Sequence, residues 1–211
     1  MNEVEGVIKY QLDFEPNQGL AWLGFEELNA WRNILFNLHL IGQEEGRYDG
    51  YGYGNISYRN QSDSNDFYIS GTQTGGKKRL AINDYCRIAL CDVEHNHIVA
   101  DGPVKPSSEA LSHGAVYQLD SKIRCVIHVH SDVLWRCAAQ IGLPCTGLGV
   151  PYGTVEMADE IVGLYRSGKL SRTRLFIMGG HKDGVIAFGE TIEQAGAALI
   201  AQLALAIQNY K

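Results

Sequence analysis

The spacing of apolar residues divides the chain into alternating helices and strands. From about Leu20 to Ile41, the residues Leu28, Trp31, Leu35 and Leu38 recur at steps of three and four, as one buried helix face requires. Gly42 is expected to stop that helix, leaving His39 in its last turn near the negative dipole end. Ile56 to Arg59 and FYIS, joined by the polar turn QSDSND, predict a hairpin. RIALCDV and HIVA predict two more strands around the turn EHNH. A helix opens after Pro106, capped by Ser107 or Ser108, and runs to about Leu119 with Glu109 in its first turn. IRCVIHVHS, from Ile123 to Ser131, is a β-branched run that predicts a strand, followed by a helix from about Asp132 to Ile141. A glycine- and proline-rich loop spans Pro144 to Gly153, and a helix capped by Thr154 covers 154–167. RLFIM and the apolar run after GGHKDG are strands. Thr191 and Gln194 have the spacing of a capping box for a last helix reaching Tyr210, whose low charge implies burial against the sheet or another subunit. Residues 1–18 read as an arm with a short strand in VIKYQLDF, and 19–211 as one domain without repeats or linkers.

Composition narrows the function class. At 211 residues with 45% hydrophobic and 20% charged positions, the chain can bury a sizeable core. A net charge of −6 argues against a general nucleic-acid surface, though not against a local pocket for an anion. The five cysteines are odd in number and form no CxxC, so they read as reduced thiols of a cytoplasmic protein. The acidic N-terminus lacks the apolar core of a signal peptide, and no apolar run reaches transmembrane length.

The strand IRCVIHVHS carries the first candidate chemistry. Residues two apart on a strand project to the same face, so His128 and His130 stand side by side. A zinc-like ion needs further ligands. His181, in a glycine turn between two apolar strands, has no packing role of its own and is the best third ligand. A second H-x-H, His95 and His97, lies in a polar turn where nothing holds the rings together, and is read as solvent-exposed. Glu109 serves either as a carboxylate at the positive helix end or as a general acid/base beside a metal. His113, one turn later, reads as a packing or hydrogen-bonding residue. RYDGYGYGN is either an ordinary glycine-rich loop or a place where Gly54 and Asn55 meet a ligand. SGTQTGGKK is a turn with small residues whose amides could hold phosphate or carboxylate.

Taken in order, GNIS, SGTQTGG, PSSE, HVH and a glycine-turn histidine before VIAFG resemble the class II aldolase/adducin family, of the fuculose-phosphate aldolase type of metal-dependent lyase. The resemblance covers about residues 25–210, and PSSE-to-HVH, with SHGAVYQ between, is its most specific part. It implies a three-layer α/β/α sandwich with a mainly antiparallel central sheet, assembled as a cyclic homotetramer with active sites between subunits. By similarity, His128, His130 and His181 would hold Zn2+, or another divalent cation such as Mn2+ or Co2+, and Glu109 would be the catalytic acid/base. Asn55, Thr72, Thr74, Gly75, Ser107 and Ser108 would hold a substrate phosphate. The implied reaction makes or breaks a C–C bond in a small, anionic keto-sugar or hydroxy-carbonyl compound through an enediolate. Relatives also include an epimerase, a dehydratase, a decarboxylase and non-catalytic adducin-like interaction modules; the modules tend to lose the metal histidines, which this chain keeps. Two departures stand out. The family often reads N-H-G at the third histidine, whereas here Lys182 and Asp183 intervene before Gly184, making Asp183 either an outer partner of the metal or a turn residue. The loop from Leu143 to Tyr152 is shorter than in the sugar-phosphate aldolases, which carry a subunit-crossing tyrosine acid there, and Tyr152 is the residue that could take its place.

Overall fold

One interior strand sets the arrangement of the rest. The computed structural model describes residues 6–18, 21–62 and 64–210. In chain order the elements are β1 (Gln11–Pro16), α1 (Phe25–Asn37), β2 (Gly42–Gln43), β3 (Gly52–Tyr53), β4 (Asn55–Tyr58), β5 (Phe67–Ser70), β6 (Tyr85–Asp92), β7 (His97–Gly102), α2 (Ala110–Leu119), β8 (Cys125–His130), α3 (Asp132–Cys137), α4 (Val155–Arg166), α5 (Leu170–Thr173), β9 (Leu175–Ile177), β10 (Gly184–Gly189) and α6 (Ile192–Asn209). Among the described residues, eight strands form one sheet in the order β1-β7-β6-β5-β4-β8-β10-β9, and β2 pairs with β3 apart from it. Of these strand pairs only β1 and β7 run parallel; the others are antiparallel.

β8 lies between β4 and β10, and all its residues are buried. A strand covered on both faces must be apolar on both. Cys125, Ile127 and Val129 enter a core shared with Leu28 and Leu35 of α1, Leu134 of α3 and Leu199 of α6. Val126 enters the opposite core, with Leu111 and Val116 of α2 and Met157 and Ile161 of α4. The sheet therefore has a helical layer on each face, the expected α/β/α sandwich with a mainly antiparallel sheet. Truncating a fully buried leucine such as Leu199 to alanine would cost about 2–5 kcal/mol. The period of two then places His128 and His130 on the face of Val126, toward α2.

Several boundaries differ from the sequence reading. α1 is shorter than expected: Leu20 lies outside the described residues, Gly24 (φ +94°) precedes the first turn, and the chain reverses at His39 (φ +57°). That reversal lets Leu40 and Ile41 drop into the core and Leu40 O accept the His130 N–H at 2.9 Å. Gly42 accordingly opens β2 instead of ending a helix. α3 stops at Cys137, because the chain turns and the Leu143 N–H reaches back to Ala138 O at 2.8 Å. α2 begins at Ala110 with Glu109 at its cap, and the Ser107 hydroxyl accepts the Glu109 N–H at 3.3 Å. At α6, Thr191 Oγ1 accepts the Gln194 N–H at 3.1 Å, but Gln194 Oε1 takes the N–H of Glu190 at 2.7 Å, so only half of the capping box forms. α6 packs Ala195, Gly196 and Leu199 inward and leaves Ile207 exposed. Gln11–Pro16, within the expected arm, is the edge strand beside β7. No helix among the described residues is long and apolar enough to cross a membrane.

Candidate metal centre

His128, His130 and His181 converge at the end of β8. His128 and His130 share a face by strand alternation, and the antiparallel register sets Gly184 of β10 opposite His130. The turn leading into β10 therefore delivers His181 to the same place, with Gly184 N–H bonded to His181 O at 2.9 Å. His130 Nε2 lies 3.2 Å from His128 Nε2 and 3.1 Å from His181 Nε2. Such separations are the edges of a tetrahedron around an ion with Zn–N bonds of about 2.0–2.1 Å. His128 Nδ1 faces Val185 O at 3.3 Å, which places its proton on Nδ1 and leaves the Nε2 lone pair for a ligand. All three imidazoles are buried. Burial first, then the neighbouring imidazoles, pushes the pKa of His128 and of His130 well below the ordinary histidine value. The neutral form so favoured is the form that binds metal. Donor type, spacing and tautomer thus fit a divalent cation with a position left open.

Glu109 is fully buried at the start of α2, and its Oε1 is 3.7 Å from His181 Nε2. The backbone register of β4 against β8 sets Asn55 opposite His128. Gly54 makes that approach possible: its φ is +74°, and a Cβ there would lie 2.8 Å from Ile41 Cγ1. Asn55 Oδ1 is buried without a hydrogen-bond partner among the described residues. Asn55, Thr72, Thr74, Gly75, Ser107 and Ser108, all six proposed from sequence, line one small polar pocket. The Thr74 hydroxyl is spent locally, donating to Gly71 O at 2.8 Å.

Three contributors escape the motif. Arg32 of α1 is buried, and its Nη2 donates to Gly75 O at 2.8 Å and Thr74 O at 3.3 Å. This buried cation ties the pocket loop to α1 through the loop's carbonyls. Tyr48 packs edge-on against His130, with ring centroids 4.5 Å apart, and donates its hydroxyl proton to Asp183 Oδ2 at 2.8 Å. Arg47 donates to Tyr48 Oη at 2.9 Å. Burial, then the Asp183 hydrogen bond, raises the Tyr48 phenol pKa, so it stays protonated as a donor. Asp183 adopts φ +63° in the turn and accepts the Ser131 N–H at its carbonyl at 2.8 Å. It braces Tyr48 and the end of β8, and the cluster among the described residues that could hold a metal ion comprises the three histidines alone. Tyr152 is fully buried with its ring 4.5 Å from that of His181, while its hydroxyl bonds the main chain of Val7. The positive φ of Tyr48 and Asp49 (+49° and +54°) was the feature that a reading by composition could not supply.

The second histidine pair is elsewhere: His95 is exposed in the turn, as expected, whereas His97 is half-buried at the start of β7 because that strand pairs on both sides. His95 Nδ1 bonds Asp92 at 2.9 Å, and His97 Nε2 bonds Asp13 at 2.9 Å. His113 is buried, its Nδ1 2.7 Å from Ser57 Oγ, the hydrogen-bonding role expected of it. Burial lowers its pKa to about 3.

Known proteins share this architecture. The L-fuculose-1-phosphate aldolase of Thermus thermophilus is similar over 88% of this chain and 92% of its own, at 20% identity and a TM-score of 0.62. The sugar-phosphate aldolase of Thermotoga maritima is similar over 86% of this chain and 90% of its own, at 17% identity and a TM-score of 0.61. The N-terminal class II aldolase domain of a conserved Thermoplasma acidophilum protein covers 92% of this chain and 97% of its own, at 14% identity and a TM-score of 0.61. No curated protein matches the sequence. The family described as the Class II Aldolase and Adducin N-terminal domain matches residues 43–208, which include all three histidines, Glu109 and the six pocket residues. The chain belongs to the class II aldolase and adducin N-terminal domain family.

Proposed function

We propose that this chain is a zinc-dependent aldolase that makes or breaks a C–C bond in a small, anionic hydroxy-carbonyl compound. The observation that carries the reading is the convergence of three buried imidazole nitrogens beside a buried carboxylate, with a polar pocket across the β4–β8 pair. His128, His130 and His181 would hold a divalent cation, which would supply a Lewis acid for negative charge on substrate carbonyl and hydroxyl oxygens, worth several kcal/mol in typical sites. Glu109 takes a proton from, or returns it to, the substrate at Oε1 or Oε2. Asn55 and the hydroxyls of Thr72, Ser107 and Ser108 hold the anionic end, with loop amides sharing the charge. Arg32 holds the pocket loop in place through its carbonyls. Tyr48 fixes the His130 ring, and Asp183 fixes Tyr48. The subunits assemble as a homotetramer, and the protein works in the cytoplasm.

A substrate screen tests the reading. Metal-loaded protein is offered dihydroxyacetone phosphate with lactaldehyde or glycolaldehyde, and product is followed by chromatography. C–C bond formation that disappears with Glu109→Gln is the expected result. Absence of turnover in either direction, with any phosphorylated or unphosphorylated pair, would sink the aldolase assignment.

A further inference from the structure

Residues Gly6 to Tyr10 precede β1 and lie outside residues 43–208, which match the family. They nevertheless lie over its site. Gly6 lines the polar pocket beside Asn55, Thr72 and Ser107. Its φ is +75°, a conformation that favours glycine, and a Cβ there would meet the end of the Gln73 side chain, which would have to move aside. The Val7 N–H donates to Tyr152 Oη at 3.1 Å, and Tyr152 Oη donates to Val7 O at 3.2 Å. The ring carrying that hydroxyl packs on His181. Lys9 Nζ lies 3.4 Å above the centre of the same ring. Tyr10 is buried and donates to Ser107 O at 2.7 Å, two residues before Glu109. This short segment thus touches the pocket, the neighbour of a metal ligand and the start of the helix bearing the carboxylate.

We propose that Gly6–Tyr10 is a strap closed over the metal centre and the polar pocket, latched by Tyr10 and Tyr152, which must lift for metal or anionic ligand to exchange. It rests on the metal reading above. Tyr10 seats the segment in the core and Ile8 packs against that core, and hydrogen bonds at Lys9 O, Val7 and Ser107 O add to the hold. These contacts are confined to one short stretch, so opening it costs less than unfolding the sheet. Closed, it shields Glu109 and the histidines from water, and Gly6 limits the head group that fits. Open, it exposes both sites together, so metal release and anion entry share one gate.

The test compares wild type with Tyr10→Phe, Tyr152→Phe and the double variant, each keeping its rings. Zinc-loaded protein is mixed with excess chelator, and metal-free protein is cut with trypsin after Lys9, the shortened chain being read by mass. Each hydroxyl removed should speed both processes about fivefold, and the double variant by about tenfold or more, as expected for losing net hydrogen bonds of this kind. Metal content before chelation should be unchanged. Either single variant suffices if the double variant does not fold. Unaltered cutting and unaltered release in the variants would overturn the strap. A protein that takes up no zinc in any form would overturn the metal reading, and the trypsin rates of that same protein would still decide the strap.

Discussion

Two histidine pairs of the same H-x-H form occupy this chain, and they differ in what holds them. His128 and His130 lie on a strand buried on both faces, where alternation forces their rings together and a facing turn adds His181. His95 and His97 straddle Asn96, whose φ is +53°, and each ring has turned to its own aspartate, Asp92 or Asp13. Burial limits water at the first pair, and a shared cation would satisfy all three nitrogens at once. The second pair has water and carboxylates at no such cost. Ligand spacing in the sequence is therefore worth little without a backbone that fixes the rings.

The largest expected effect follows from that contrast. His128→Ala should reduce bound zinc from about one equivalent per chain to less than about a tenth. His95→Ala should bind as wild type does. Elemental analysis after reconstitution measures both, and equal metal content in the two variants would erase the distinction between the pairs. Next in size is Glu109→Gln, which should retain metal while turnover falls by about 10²–10⁴-fold. Full activity in that variant would remove Glu109 from the chemistry and leave it a cap of α2.

Much of this site could be read from the chain because its parts lie on regular elements or beside glycines. Period two places His128 with His130 and the glycine turn singles out His181, while the six pocket residues implied by the family resemblance are among those that line the pocket. The helical layers on both faces of the sheet were implied by the family resemblance, and the periodicities supplied the individual elements. What escaped depends on left-handed residues and long-range packing. Tyr48 reaches His130 only because it and Asp49 adopt positive φ, a conformation that neither residue type announces. Arg32 falls at a buried position of α1, where helical periodicity expects an apolar residue, and its charge is answered by loop carbonyls forty-odd residues away. The reversal at His39 shortened α1 for a reason found in β8, whose last N–H needs the Leu40 carbonyl. Local pattern cannot encode such partners.

Tyr48→Phe sharpens the comparison by weakening the support of the buried pair without touching a ligand. Loss of the hydroxyl frees Asp183 Oδ2 and removes an acceptor for Arg47. Metal affinity should fall about tenfold, the low end for an outer partner of a metal site. Asp183→Asn should fall by less, because a carboxamide oxygen can still accept from Tyr48. Competitive chelator titration measures both. Unchanged affinity in Tyr48→Phe would reduce the ring to packing against His130.

The smallest effect is a titration, and it separates the pairs by sign. Asp92 accepts a hydrogen bond from His95 and attracts its charge, holding the His95 pKa above 6.5. The same contact holds the Asp92 carboxyl below its ordinary value. A raised histidine contributes fully below its unfolded pKa and loses the contribution as pH rises through the folded value. A lowered carboxylate contributes above its unfolded pKa and loses the contribution as pH falls through the folded value. The contact of His95 with Asp92 therefore acts between the two folded pKa values. His128 and His130 run the other way: the unfolded chain gains protons near pH 6.5 while the folded metal-free protein does not, so acid weakens the fold. Proton NMR of the metal-free protein should show the His95 ring titrating above 6.5 and moving back toward it in Asp92→Asn. The His128 and His130 rings should remain neutral well below that pH. A His95 titration that ignores Asp92→Asn would show that the turn does not hold the pair in solution, and would make this motif looser still than its buried counterpart.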